Sequence, residues 1–239
     1  MQVGAAERIR AQIEESILSG QLPAGARVIA DEYARQMGVS HIPVREALHA
    51  LAADGWIVHR RHQGAFVRDY DPTALADLFE ARTHLEATVA GLAAQRRTTG
   101  QLAELGTILA RQATVDDAGE LARINAEFHI ALAGCSHNSL LTSYVRDLTK
   151  QVRFYFVPAA RTRRAHSLSE HERIIDAIRR RDSQHARKLV LAHITDTSDA
   201  VRALTTEAMP AAHLNIARNS LHETGGGPDM VVRRGNQSP

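Results

Sequence analysis

The chain has 239 residues, 44% of them hydrophobic and only 4% aromatic, with a formal net charge of +2. Length and composition suit one large or two modest domains with helix-on-helix cores, and the single cysteine, Cys135, excludes an internal disulfide and suits a reducing compartment. No apolar run approaches the roughly 20 residues that cross a bilayer, and the N-terminus has no secretory apolar core, so the expectation is a soluble cytoplasmic protein with no membrane partner.

Residues 5–19 place Ile9, Ile13 and Ile17 at four-residue intervals, with Leu18 widening the stripe, which predicts a first amphipathic helix. Pro23 and Gly25 then turn the chain. In IADEYARQMGVS, Ile29, Tyr33 and Met37 share one face and Gly38 is a natural helix end. From Ser40 to Trp56 a third helix is expected, with the Ser40 hydroxyl capping it, Pro43 in the first turn and Gly55 at its end. Val44, Ala47, Leu48 and Leu51 make its buried stripe, while His41, Arg45 and His49 line the opposite one. Two short helices joined through Gly38-Val39-Ser40 have helix-turn-helix spacing, the second able to enter a DNA major groove. From these residues alone an ordinary helical hairpin with a solvated arginine stands beside that reading. Composition does not decide it, since residues 1–70 hold eight Arg against eight Asp plus Glu, but His59, Arg60, Arg61 and His62 cluster. Ile57-Val58 and Phe66-Val67 flank a Gly64-containing turn and predict a two-stranded wing.

The runs LPAGARV, GVSHIPVREALHALAADGWI and RRHQGAFV together resemble the winged helix-turn-helix head of the GntR superfamily over about residues 7–68. The resemblance implies that Arg45 contacts DNA and that the wing tip near Gly64 enters the minor groove. His41 stands where that family commonly has Arg, and a neutral imidazole cannot make the bidentate contact to guanine. The expected DNA-contacting set is His41, Arg45, His49, Arg60, Arg61 and Gly64.

Asp71 and Pro72 end the wing, and Asp71 or Thr73 can cap the next helix. From Thr73 to about 205 the pattern is helical nearly throughout: Leu75, Leu78, Phe79, Arg82, Leu85, Val89 and Leu92 mark a long first helix, Leu102, Leu105, Ile108 and Leu109 a second, and four more are expected over about 117–135, 138–157, 166–180 and 183–205. The fold class expected is therefore mostly α: a winged helix-turn-helix over residues 1–70 and an antiparallel all-α bundle over 73–205. The tail, residues 206–239, lacks periodicity and ends in Gly, Pro and polar residues, which predicts disorder.

Among thirteen histidines, three stand out in this half: His129, four residues after Asn125 and so on the same helix face, His171 and His193. Three imidazoles and an amide oxygen converging inside a bundle suit a first-row divalent metal with positions left open; packed or surface histidines are the bland alternative. FHIALAGCSHNSLL followed by EHERIIDAIRRRDSQHARKLVLAHI resembles the FCD effector domain of the FadR subfamily, which covers about residues 73–205. The resemblance implies a metal on Asn125, His129, His171 and His193, and an arginine, Arg82, lining a ligand cavity. Asn for the commoner Asp removes a negative charge and favours Zn or Ni over Mg or Ca. Arg82 and Glu86, four apart, otherwise read as an internal ion pair. His166, Arg153 and Tyr155 are further candidates for pocket lining, with structural roles open to each.

The function expected is a homodimeric transcription regulator that binds double-stranded operator DNA and responds to a small carboxylate held by Arg82 and a metal. Two alternatives are a metal sensor, and a metal-dependent hydrolase in which Glu172, in the run HERII, acts as base.

Overall fold

The computed structural model describes residues 4–207. The tail expected to be disordered lies outside the described residues beyond Glu207. The chain opens with α1 (Ala5–Leu18), β1 (Arg27–Val28), α2 (Ala30–Met37), α3 (His41–Ala53), β2 (Ile57–Arg60) and β3 (Gly64–Val67). Ile9, Ile13 and Ile17 of α1 pack with Val44, Leu48 and Leu51 of α3 in one buried cluster, as the two apolar stripes require.

Two local expectations need correction. Ser40 does occupy the N-cap of α3, but its side chain makes no capping hydrogen bond. What fixes the turn is Gly38 in the left-handed region, φ 63°, whose N–H bonds back to the Ala34 and Arg35 carbonyls. The wing has a third strand: β1 pairs antiparallel with β3, Arg27 opposite Phe66, giving the order β1-β3-β2. Two residues are too few to leave a period-two signal, and β1 exists because the returning wing offers it an edge.

The remainder is α4 (Pro72–Arg96), α5 (Thr99–Thr114), α6 (Ala118–Gly134), α7 (Ser139–Phe156), α8 (Ala160–Arg179) and α9 (Ser183–Glu207), with one 3-10 turn, Val157–Ala159, between α7 and α8. The boundaries are set by side-chain caps. Asp71 accepts from the Thr73 and Ala74 amides, Asp117 from Glu120, Asn138 from Leu141, and Thr98 with Gln101 forms a capping box. α8 begins about six residues before the expected start. Its first turns carry ARTRRA, whose charge hides the helix in a hydropathy pattern, yet Arg161 and Arg164 are held by the Asp116 backbone carbonyl and the Asp116 carboxylate.

α7 also ties the wing to the bundle. Lys150 pairs with Glu14 at 2.6 Å and Arg153 with Glu15 at 2.5 Å, both glutamates on α1. Arg68, just past β3, donates to Gln151 Oε1 at 2.7 Å and lies over the rings of Trp56 and Phe154, 4.6 and 4.8 Å from their centroids. A backbone contact seals this junction: a Cβ on Gly119, in the first turn of α6, would stand 2.5 Å from the Ser19 carbonyl oxygen. Gly119→Ala must therefore push α6 from the end of α1, at about 1–3 kcal/mol by the usual cost of overpacking. A melting temperature equal to the parent's, with unchanged proteolysis between β3 and α4, would contradict this contact.

Candidate functional site

In the bundle, His129 on α6, His171 on α8 and His193 on α9 are all buried, and one nitrogen from each lies within 4.8 Å of the others. The Nε2 atom of His193 is 3.3 Å from that of His171 and 3.2 Å from that of His129. The other ring nitrogens face outward to acceptors. His193 Nδ1 meets Glu170 Oε2 at 2.7 Å and His171 Nδ1 meets Gln112 Oε1 at 3.0 Å. His129 Nδ1 lies 2.6 Å from Glu86 Oε2, without the alignment of a hydrogen bond. Carboxylates can only accept, so Nδ1 carries the proton on His193, and the same acceptor placement assigns it on the other two.

It follows that three Nε2 lone pairs point at one another in a dry interior. Neutral imidazoles cannot satisfy such an arrangement among themselves, whereas a divalent cation satisfies all three. Two nitrogens about 2 Å from one zinc at the tetrahedral angle stand about 3.3 Å apart, which is the spacing observed. The residues therefore fit a first-row metal, and the outward carboxylates and amide are the partners that orient ligating histidines. Burial, and then the neighbouring imidazoles with Arg163 and Arg82, hold His171 and His193 well below the ordinary histidine range, in the neutral form that metal ligation requires.

Asn125, one turn before His129, is buried and its Oδ1 has no hydrogen-bond partner. Arg82 is fully buried on α4: its Nε donates to Glu86 Oε1 at 2.7 Å, but Nη1 and Nη2 have no partner. The ion-pair reading of Arg82 thus describes one edge of the guanidinium, and the other edge is left open. Glu86 is held far below the carboxylate range: burial opposes its charge, but Arg82 and then His129 outweigh it. Of the other candidates, Arg153 is taken by Glu15, Tyr155 packs on Tyr70 with ring centroids 5.7 Å apart, and His166 is exposed. Glu172 is exposed on α8 and lines a groove with Leu168 and Arg179 that none of the three histidines lines.

Sequence reading missed Gln112, Glu170, Arg163 and Ser167. Glu170 adjoins His171, but the side chain it orients is His193 on another helix, and Arg163 Nη2 bonds in turn to Glu170 at 2.6 Å. The one available signal was the spacing of Ser167 and His171, four apart like Asn125 and His129.

At the other end of the chain, His41, Arg45 and His49 are exposed along α3, and Arg60, Arg61 and Gly64 are exposed on the wing. Arg45, His59 and Gly64 line one groove of about 370 Å³ with Arg27 and Leu48. Arg60 is engaged, 3.2 Å from Asp69 and over the Phe66 ring, and His41 stands 3.5 Å from Asp31. Ile42 is 68% exposed beside Arg45, an apolar side chain that sequence reading passed over.

The neutral, buried state of His171 and His193 has a pH consequence for the metal-stripped protein. Both groups titrate lower folded than unfolded, so stability is fully present above the unfolded value near 6.5 and falls as pH drops below it, by about 1.4 kcal/mol per pH unit for each histidine. Urea unfolding midpoints between pH 7.5 and 5.5 should decline accordingly, and a flat profile would show that these imidazoles take up protons in the fold.

Comparison with known proteins agrees with this two-part layout. Residues 5–67 match the model of bacterial regulatory proteins of the gntR family, and residues 77–196 match the FCD domain. The chain is 34% identical to the Nta operon transcriptional regulator of Aminobacter aminovorans, over 74% of this chain and 85% of that one. It is 30% identical to a putative L-lactate dehydrogenase operon regulatory protein of Escherichia coli, over 89% and 90%. E. coli McbR/YncC shares the fold, with a TM-score of 0.72 at 21% identity over 84% of this chain and 99% of that one. No helix among the described residues is long and apolar enough to cross a membrane. The chain belongs to the GntR family of bacterial transcriptional regulators, in the group whose DNA-binding head is joined to an FCD domain.

Proposed function

We propose that the protein is a cytoplasmic homodimeric repressor whose heads, residues 1–70, bind the two halves of a near-palindromic operator, and whose residues 73–205 form the effector and dimerisation domain. A small carboxylate, bound at a zinc or nickel ion on Asn125, His129, His171 and His193, releases the DNA. The observation that carries the effector reading is Arg82, fully buried with Nη1 and Nη2 unpaired in the same bundle as the three histidines. A buried guanidinium edge without an acceptor is costly, and a carboxylate is the group that fits its fork. The relative named for an L-lactate dehydrogenase operon supports the class, since lactate is a small carboxylate. Imidazole-rich ligation favours Zn or Ni over Mg or Ca, and the Asn125 amide adds no charge to change that. The metal would supply a cationic point for the effector; Arg82 would orient the acid beside it.

In the head, Arg45 is proposed to read base edges in the major groove with His41 and His49, and Ile42 to touch a thymine methyl. Arg60 and Arg61 would hold phosphates, and the turn at Gly64 would approach the minor groove. Release is linkage: an effector that prefers the head arrangement unable to bind DNA weakens operator affinity by that preference.

Selection of genomic fragments by the purified protein, followed by sequencing, should enrich a palindrome; failure to enrich any sequence would remove the regulator's proposed target. On that operator, Arg45→Ala should cost about 1–3 kcal/mol of specific binding and leave effector affinity unchanged. Unaltered operator binding in the variant would displace Arg45 from its role. His171→Ala should abolish stoichiometric zinc binding, read by metal analysis after dialysis, and with it the effector response. A variant that kept both its zinc and its response would move the metal elsewhere. A ligand screen returning only neutral or cationic compounds would sink the carboxylate reading.

A further inference from the structure

A second set of unmet polar groups lies on α8. Arg163, Ser167, Glu170, His171 and Ile174 are all buried and fall on one face of that helix, the face that brings His171 to the three-histidine centre. Ser167 is 2% exposed and its Oγ has no hydrogen-bond partner. That is unusual within this bundle. The buried threonines turn their hydroxyls onto the carbonyl four residues back: Thr149 to Val145 at 2.8 Å, Thr197 to His193 at 2.7 Å, Thr205 to Val201 at 2.9 Å. Ser167 does not take that exit. One turn earlier, Arg163 donates from Nη2 to Glu170 Oε2 at 2.6 Å and to Thr197 Oγ1 at 3.2 Å, while its buried Nε is left without an acceptor.

Open donors thus flank the carboxylates behind the histidines from two helices, α4 and α8, apart from those of Arg153 and Tyr155 on α7. Arg82 Nη1 and Nη2 come from α4, and Arg163 Nε with the Ser167 hydroxyl from α8. Each guanidinium already has its carboxylate, Glu86 or Glu170, so what remains open at each is hydrogen-bonding capacity rather than unmatched charge. A ligand with a single carboxylate meets one of these places and leaves the other unpaired.

We propose that Ser167, with Arg163 Nε, is the binding point for the far end of the effector, which is a two-ended acid: a carboxylate at one end and an acceptor oxygen, on a hydroxyl or a second carboxylate, at the other. This rests on the carboxylate reading of Arg82 and adds a residue that sets specificity. Ser167 discriminates because a site built to hydrogen-bond an oxygen rejects the analogue lacking it.

Calorimetric titration of the zinc-loaded full chain with matched acids tests it. One series is propionate, butyrate and valerate; the second replaces the terminal methyl with a hydroxymethyl group; the third is malonate, succinate and glutarate. The best two-ended acid should bind about tenfold or more tightly than its one-ended counterpart, in keeping with a buried polar contact. Ser167→Ala, which keeps the helix, should erase that preference and leave the one-ended affinity as it was. A winner from the second series assigns a neutral far group and one from the third an anionic one, and either supports the proposal. One-ended acids binding as tightly as two-ended ones overturn it, as does an equal loss for both kinds in Ser167→Ala, which would make the serine a packing residue. If no acid of any series binds, the carboxylate reading itself fails and takes this inference with it.

Discussion

Three imidazole lone pairs facing one another in a dry interior form the constraint on which the helical half of this protein depends. Each ring is pinned from behind by a residue of a different helix: His129 on α6 by Glu86 of α4, His171 on α8 by Gln112 of α5, and His193 on α9 by Glu170 of α8. Phe128 lies flat against His171, with ring centroids 3.8 Å apart, and removes that ring's remaining freedom. Five of the six bundle helices therefore meet at one point through polar contacts that tolerate little displacement. Such a network is costly when half satisfied. A cation at its centre would turn mutual repulsion into common attraction, and metal affinity and bundle stability would then be one quantity seen from two sides.

The same economy of partners would carry the proposed effector signal from that centre to the head. Arg82 shares Glu86 with His129, and Arg163 shares Glu170 with His193, so neither guanidinium can be drawn toward a ligand without loosening the carboxylate behind an imidazole. α6 carries His129 and also Gly119, pressed against Ser19 at the end of α1. α7 packs beside α6 and holds α1 through Lys150 and Arg153 and the exit from the wing through Gln151. A shift of α6 is thus resisted by close backbone packing at one end and by imidazole geometry at the other. Packed elements of this kind move between discrete arrangements rather than deforming continuously.

Much of this was legible in the amino-acid order because helical periodicity is a local property. Ile9, Ile13 and Ile17, the α3 stripe and the α4 stripe announce their buried faces within a few turns, and Gly38 and Gly55 mark ends through backbone needs that few other residues meet. The three histidines could be picked out for a related reason, since His129 shares a helix face with Asn125 and His171 and His193 are each flanked by apolar residues that face inward. What sequence could not show is pairing at long range. Gln112 and His171 are 59 residues apart and Glu170 and His193 are 23 apart, with nothing local to join them. β1 was missed because two residues carry no period, and the start of α8 because arginines held by Asp116 look, in one dimension, like a loop.

The charge balance of the head shows the same limit from another direction. Residues 1–70 carry equal numbers of arginines and acids, and that sum speaks against nucleic acid. In three dimensions part of the negative charge is matched away from α3 and the wing. Glu14 and Glu15 are spent on Lys150 and Arg153 of α7, and Asp54 on Arg10 of α1. Those acids face the bundle or the first helix, and their charge is matched where it stands. Arg45 and Arg61, exposed on α3 and the wing, have no ion-pair partner among the described residues, and the rings of His49 on α3 and His59 on β2 have centroids 5.4 Å apart. A phosphate backbone responds to the charge within about one Debye length of it, roughly 10 Å, and not to the sum over a domain. A head that is neutral in composition therefore keeps Arg45 and Arg61 exposed and unmatched among the described residues, while Glu14 and Glu15 fasten it to α7.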